Sequence, residues 1–231
     1  MRVDLHSAFV LHQRSYRETS LLLEIFSLRS GRVGLIAKGA NRQRSAFRGA
    51  LQFFRPLLLA WAGRGELATL VGAEIDGPFS ALSGRALLSA FYLNELLTRV
   101  LHRDDPHPAL FAAYRQALET LAQAGNEEPA LRLFEKRLLE DIGYGLSLRF
   151  DVDTNAPIEP ERDYYYQSDK GPWRNPPAHI DTVKVQGRTL IAVAAALFHE
   201  PEVLSESKRL MRFILASHIG GRPLASRQLF S

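Results

Sequence analysis

The chain of 231 residues contains no cysteine. That excludes disulfides, thiolate nucleophiles, cysteine-held iron–sulfur clusters and cysteine-ligated zinc. Long apolar runs are missing too: Leu190 to Phe198 is far too short to span a bilayer. No cationic start leads into an apolar stretch, since Arg2 and Asp4 precede only a strand pattern. A soluble, cytoplasmic protein with no membrane partner is expected. Internal repeats and low-complexity tracts are absent. A third absence is local: from Ile25 to Gly65 there is neither aspartate nor glutamate.

That acid-free stretch holds Arg29, Arg32, Lys38, Arg42, Arg44, Arg48, Arg55 and Arg64. Seven of these eight cations are arginine, whose planar fork matches phosphate oxygens. Phe47, Phe53, Phe54 and Trp61 are interleaved with them, as base-stacking surfaces require. A solvated basic face is the bland alternative. The combination points instead to a track for nucleic-acid phosphates, with Arg14, Arg32, Lys38, Arg42, Arg44 and Arg48 as the candidate contacts. Residues 1–77 hold eleven Lys/Arg against six Asp/Glu, whereas the remainder holds 18 against 19. The formal +4 therefore resides in the first third, as in a basic module joined to a near-neutral one.

The first 75 residues read as five short strands: Ala8 to His12, Leu21 to Leu28, Arg32 to Lys38, Leu57 to Trp61 and Leu67 to Ile75. That spacing predicts a small barrel of the oligonucleotide-binding (OB) type, with the cation-rich connection as a rim loop. Asp76-Gly77-Pro78 marks a boundary, giving domains at 1–77 and 78–231. Beyond it the apolar period becomes helical. Ala86 to Arg103 buries Ala90, Leu93, Leu97 and Val100, with Asn94, Glu95, Thr98 and Arg99 opposite. Asp105-Pro106 reads as an N-cap and first helical position. A third helix starts at Asn126 and stops at Gly143. Tyr164 to Tyr166 and Trp173 flank a small hairpin inside an irregular insertion, about 144–187. Helix resumes at Thr189 to His199 and Ser205 to His218. Gly220-Gly221 reads as a stop, and the tail after it as packed back on the helices. The fold class is α+β: an N-terminal five-stranded OB barrel followed by a C-terminal helical bundle with an inserted hairpin.

Signals for chemistry are weak. His102-Arg103-Asp104-Asp105-Pro106-His107 has no ligand spacing, and no glycine-rich phosphate loop or Asp-Phe-Gly element accompanies it. Asp151, Asp153, Glu159, Glu161 and Asp163 form an acidic loop, read as solvated because the glycine and paired helices of a calcium loop are missing. No Gly-x-Ser-x-Gly elbow exists. A binding protein is expected rather than an enzyme, with no cofactor and no metal.

Several segments are family-like in order and spacing. They are Ala8 to Ser20, the Gly31-Arg32-Val33 turn, Lys38 to Arg42, Tyr92 to Leu97, Leu131 to Glu135, Gly143-Tyr144-Gly145, and Gly220 to Arg227. Together they resemble the bacterial recombination mediator family RecO over nearly the whole chain. The resemblance implies binding of single- and double-stranded DNA and annealing of complementary strands. It also implies work with RecR to load RecA onto DNA coated by single-stranded DNA-binding protein (SSB), and nucleoid association when bound to DNA. Many relatives hold zinc on four cysteines after the Gly-Tyr-Gly segment; here Asp151 and Asp153 stand in that region, so packing of Tyr164, Tyr166 and Trp173 is expected to hold the hairpin. SSB of the kind this family works with ends in an acidic tail closed by an apolar residue and a free carboxylate. Its receptor needs an apolar pocket with a cation at its mouth. Arg132 is the first candidate, Arg115 beside Tyr114 the second, and Lys208 and Arg212 near Phe213 a third. The rival readings are an OB-fold RNA-binding protein with a helical partner-binding domain, and a hydrolase whose acidic loop binds metal.

Overall fold

The computed structural model describes residues 2–45, 47, 49–63, 65–123, 125–219 and 224–226. Arg48, Arg64, the Gly220-Gly221 stop and Arg222 and Arg227 of the tail lie outside the described residues. Strands β1 (Arg2–Tyr16), β2 (Ser20–Ser27), β3 (Gly31–Ala37), β4 (Leu57–Ala62) and β5 (Ala68–Ile75) form a closed barrel in the order β1-β2-β3-β5-β4. Among the five barrel strands described, β3 and β5 pair in parallel and the other neighbours antiparallel, so the five-stranded OB-like closure expected from the spacing is present.

β1 is three times the length its apolar centre indicated. It pairs with β4 over Arg2 to Ala8 and with β2 over Ala8 to Tyr16. Register shifts at Val3/His6 and Val10/His12 bend it around the barrel, as bulges do. Ladder partners on both sides hold its polar ends extended. Inside, Val10, Leu23, Ile25, Leu35, Leu57 and Leu59 make a buried core, each such side chain contributing about 1.5–3 kcal/mol over leaving it in water. Trp61 belongs to that core at 4% exposure, and Phe54 is equally buried. Neither is the base-stacking surface the sequence indicated.

Helices α1 (Gly84–Val100) and α2 (Pro108–Leu121) share a first compact unit, Met1–Ala122 with Leu224–Ser231, with the barrel. The outer face of β1 and β2 presents Phe9 and Phe26, and α2 covers them. Phe111 lies 5.4 and 5.3 Å from the two rings, and Tyr114 stacks edge-on to Phe9 at 5.1 Å. Asn94, assigned to the polar face of α1, is buried instead. Its Nδ2 donates to the Leu11 carbonyl at 2.9 Å, and its Oδ1 accepts the Tyr114 hydroxyl. A buried amide is tolerable only with such partners.

α2 begins at Pro108 after His107, not at Pro106. The residues before it are pinned to the barrel: Asp104 donates its amide to the Arg32 carbonyl, and the Asp105 backbone rests on Gly31. Gly31 has a φ of 64° and no room for a Cβ, which would sit 1.8 Å from the Asp105 carbonyl oxygen. The helix starts once this crossing is complete. Of the tail, Leu224 is buried, and the amides of Ala225 and Ser226 donate to the Glu95 carboxylate on α1 at 2.9 Å each.

The second unit, Gln123–Pro223, contains α3 (Glu127–Asp141), a three-stranded sheet in the order β7-β6-β8, and helices α4 (Gly187–Ala195) and α5 (Pro201–His218). The strands are β6 (Asp163–Gln167), β7 (Gly171–Trp173) and β8 (Val183–Gln186). α4 runs directly out of β8, and α5 starts four residues early because Pro201 occupies its first position.

Tyr164 and Tyr166 of β6 are fully buried, while Trp173 donates its indole N–H to Gln167. Asp151 is 1% exposed rather than solvated. One oxygen accepts from the amides of Asp153 and Thr154 and the Thr154 hydroxyl; the other accepts from the Arg174 amide. Burial alone would raise this carboxyl, but the bonds from Thr154, Arg174 and Asp153 together hold it below the usual carboxylate range. Zinc does not fit here: both Asp151 oxygens are occupied, and no group of three metal-ligating side chains occurs among the described residues.

Candidate nucleic-acid interface

The rim loop begins where β3 ends. Gly39, at φ 69°, turns the chain in a conformation that other residues adopt only under strain. The Arg42 amide closes onto the Gly39 carbonyl at 3.0 Å, and the Ser45 amide onto Arg42 at 3.1 Å. The Asn41 amide donates to the Thr19 carbonyl at 2.9 Å, tying the loop to the β1–β2 turn. Leu51 is buried in the barrel core, and Phe47 and Phe53 pack against it half-buried. A polar, cationic segment is thus held by three apolar anchors.

That arrangement places Lys38, Arg42 and Arg44 on the same end of the barrel as Arg14 and Arg17. Arg14 pairs with Leu22, which pairs with Ile36, two residues before Lys38. All five cations are exposed, and none has a carboxylate partner within ion-pair distance among the described residues. Arg17, which the sequence reading did not single out, sits at φ 53° in the turn with its guanidinium 5.2 Å from the Tyr16 ring. Its position in a tight polar turn opposite the loop could be inferred only once the strand pairing was known. Fixed cations without counter-charges form a phosphate-sized field that weakens with salt.

Arg32 does not join them. It is half-buried, lies 2.9 Å from Glu24, and donates to the Thr98 carbonyl. Arg103 takes the other Glu24 oxygen at 2.8 Å, and its pKa is raised chiefly by that hydrogen bond. Arg32 thus staples the barrel to the last turn of α1.

The proposed partner residues divide in the same way. Arg132 is buried, with its guanidinium 2.7 Å from Glu135 and 3.7 Å from Glu128. Tyr114 is wholly buried, which pushes its hydroxyl far above the ordinary tyrosine range. Neither reaches the surface. Lys208 is held by Glu128 at 2.5 Å. Arg212 is exposed. Arg115 is half-exposed, 3.2 Å from Asp76, and borders a cavity of about 270 Å³ lined by Phe9, Phe54, Pro78, Phe79, Leu82 and Leu118. Among the described residues, no helix is long and apolar enough to cross a membrane.

Comparison with known proteins is unambiguous. Residues 1–79 match the family described as Recombination protein O N terminal, and residues 82–228 match Recombination protein O C terminal. The chain is 51% identical over 229 residues to a DNA repair protein RecO from Nitrosococcus oceani, covering 99% of this chain and 93% of that one. It is 52% identical to the protein of that name from Methylococcus capsulatus, with the same coverage. The RecO of Photobacterium profundum is 45% identical, covering 98% and 95%.

Proposed function

The chain belongs to the RecO family, and on that premise we propose that it is a DNA-binding mediator of recombinational repair. In this reading it binds single- and double-stranded DNA, anneals complementary strands, and helps RecR to load RecA onto SSB-coated DNA. The observation that carries it is the convergence of Arg14, Arg17, Lys38, Arg42 and Arg44 on one barrel end, none in an ion pair among the described residues.

Two strands brought together repel through their phosphates. Cations on the rim offset that repulsion and release condensed counterions, which drives binding regardless of sequence. Annealing of this kind needs no bond broken and no nucleotide hydrolysed, so the protein acts as a binder and not as an enzyme. The acidic tail of SSB, with its terminal apolar residue and carboxylate, would engage the Arg115 cavity, which supplies apolar walls and a cation.

The test is annealing of complementary oligonucleotides coated with SSB. The full chain should accelerate duplex formation, and replacing Lys38, Arg42 and Arg44 by glutamine should abolish the acceleration. Tighter binding to RNA than to DNA of the same sequence would favour an RNA-binding role and overturn this one.

A further inference from the structure

Under the cationic loop the barrel mouth is not filled. A pocket of about 390 Å³ opens there, lined by Gln13, Leu21, Asn41, Arg42, Phe47 and Leu51 among others. Its walls combine an aromatic ring and two leucines with amide and guanidinium groups, the mixture that recognises a nucleobase.

Gln13 is the unusual member. In the β1–β2 ladder it stands opposite Leu23, a core residue, so the two share the inward face. The bulge between Val10 and His12 causes this. It shifts the alternation by one, leaving His12 outside with Glu24 and turning a polar side chain into the barrel. Its Oε1 is buried and has no hydrogen-bond partner among the described residues. Buried acceptors are nearly always paired, and an apolar residue would suit a purely structural position better.

We propose that this mouth receives one unpaired base, whose exocyclic amine donates to Gln13 Oε1 as the side-chain amide turns from its buried position toward the mouth. The base then lies against Phe47, with Arg42 at the adjoining phosphate. The inference rests on the DNA-binding reading and adds a base preference to it. Cytosine, adenine and guanine carry such an amine and thymine does not. In a duplex each base is stacked and paired inside the helix and cannot enter a pocket, so the mouth takes only single-stranded bases. A captured base is released when its partner strand arrives.

The experiment measures equilibrium binding of the full chain to labelled oligonucleotides of equal length: oligo(dC), oligo(dT), and oligo(dC) carrying two methyl groups on the exocyclic nitrogen. One neutral hydrogen bond corresponds to about two- to tenfold in affinity. Oligo(dC) should exceed oligo(dT) by that factor, and the methylated strand should fall to the oligo(dT) level or below. Gln13→Met keeps the length of the side chain and removes the acceptor; it should equalise dC and dT. The methylated strand needs no variant, so the proposal stays testable even if Gln13→Met fails to fold. Binding of all three strands with equal affinity overturns the base pocket and leaves the DNA reading standing. A dC preference that persists in Gln13→Met also overturns it. No binding of any strand at low salt removes both.

Discussion

Replacing Arg132 by alanine should destabilise the second unit rather than weaken a surface contact. Arg132 and Glu135 lie one turn apart on α3 with side chains 3% and 1% exposed, their charged atoms 2.7 Å apart. Glu128 stands 3.7 Å from the same guanidinium and is itself held by Lys208 at 2.5 Å, giving an alternating chain of charge between α3 and α5. Removing the arginine takes from the buried Glu135 carboxylate the guanidinium 2.7 Å away. Breaking a buried pair from one side costs about 3–5 kcal/mol, most of it the desolvation of the orphaned ion. For a chain of this size that is a drop in Tm of roughly 6–20 °C. Thermal unfolding followed by circular dichroism measures it. The double variant Arg132→Met/Glu135→Leu removes both ions and should melt within about 2 kcal/mol of the unmodified chain, because well-packed apolar residues replace a buried pair at little cost. If Arg132→Ala alone stays within about 1 kcal/mol, the pair behaves as a surface pair and the burial reasoning is wrong.

Asp151→Ala strips four donors of their acceptor. At roughly 1.5–3 kcal/mol for a bond to a charged group, the total cost is on the order of 3 kcal/mol or more. Since the folded carboxyl titrates below its unfolded value of about 3.9, its stabilisation is present above that pH and is lost as the pH falls through the folded pKa. The stability gap between the unmodified chain and Asp151→Asn should therefore be full at neutral pH and shrink below about pH 4; a gap that is flat with pH would remove the charge from the explanation. Chelation should leave the melting curve unchanged, and metal analysis of protein purified without chelator should find no zinc. Near-stoichiometric zinc that raises Tm would contradict the hydrogen-bonded account of the hairpin.

The barrel was legible because its strands alternate and its turns carry Gly31 and Gly39. What escaped was anything decided by a partner distant in sequence. β1 outruns its apolar centre because β2 and β4 supply ladder partners to its polar ends. Asn94 and Trp61 look like surface residues in a helical wheel or a cationic stretch, yet each is covered by an element far along the chain. Arg132 illustrates the limit best. Its acids at positions 128 and 135 are visible in the sequence, but the same spacing describes an exposed helix face, and only packing decides between them. Among the candidate DNA contacts, Lys38, Arg42 and Arg44 are exposed and have no ion-pair partner among the described residues, whereas Arg32 is drawn inward by Glu24, an acid just outside the acid-free stretch.

The central claim, that the rim of the barrel is the phosphate-binding surface, is tested most directly by the salt dependence of single-stranded DNA affinity. Each phosphate contact contributes a slope of about 0.7 in log affinity against log salt. Replacing Lys38, Arg42 and Arg44 by glutamine should flatten the slope by roughly 2 and leave the melting curve nearly unmoved, since none of the three has an ion-pair partner among the described residues. Arg32→Gln should do the reverse, lowering stability and sparing the slope. An unchanged slope and unaltered low-salt affinity in the triple variant would contradict the assignment.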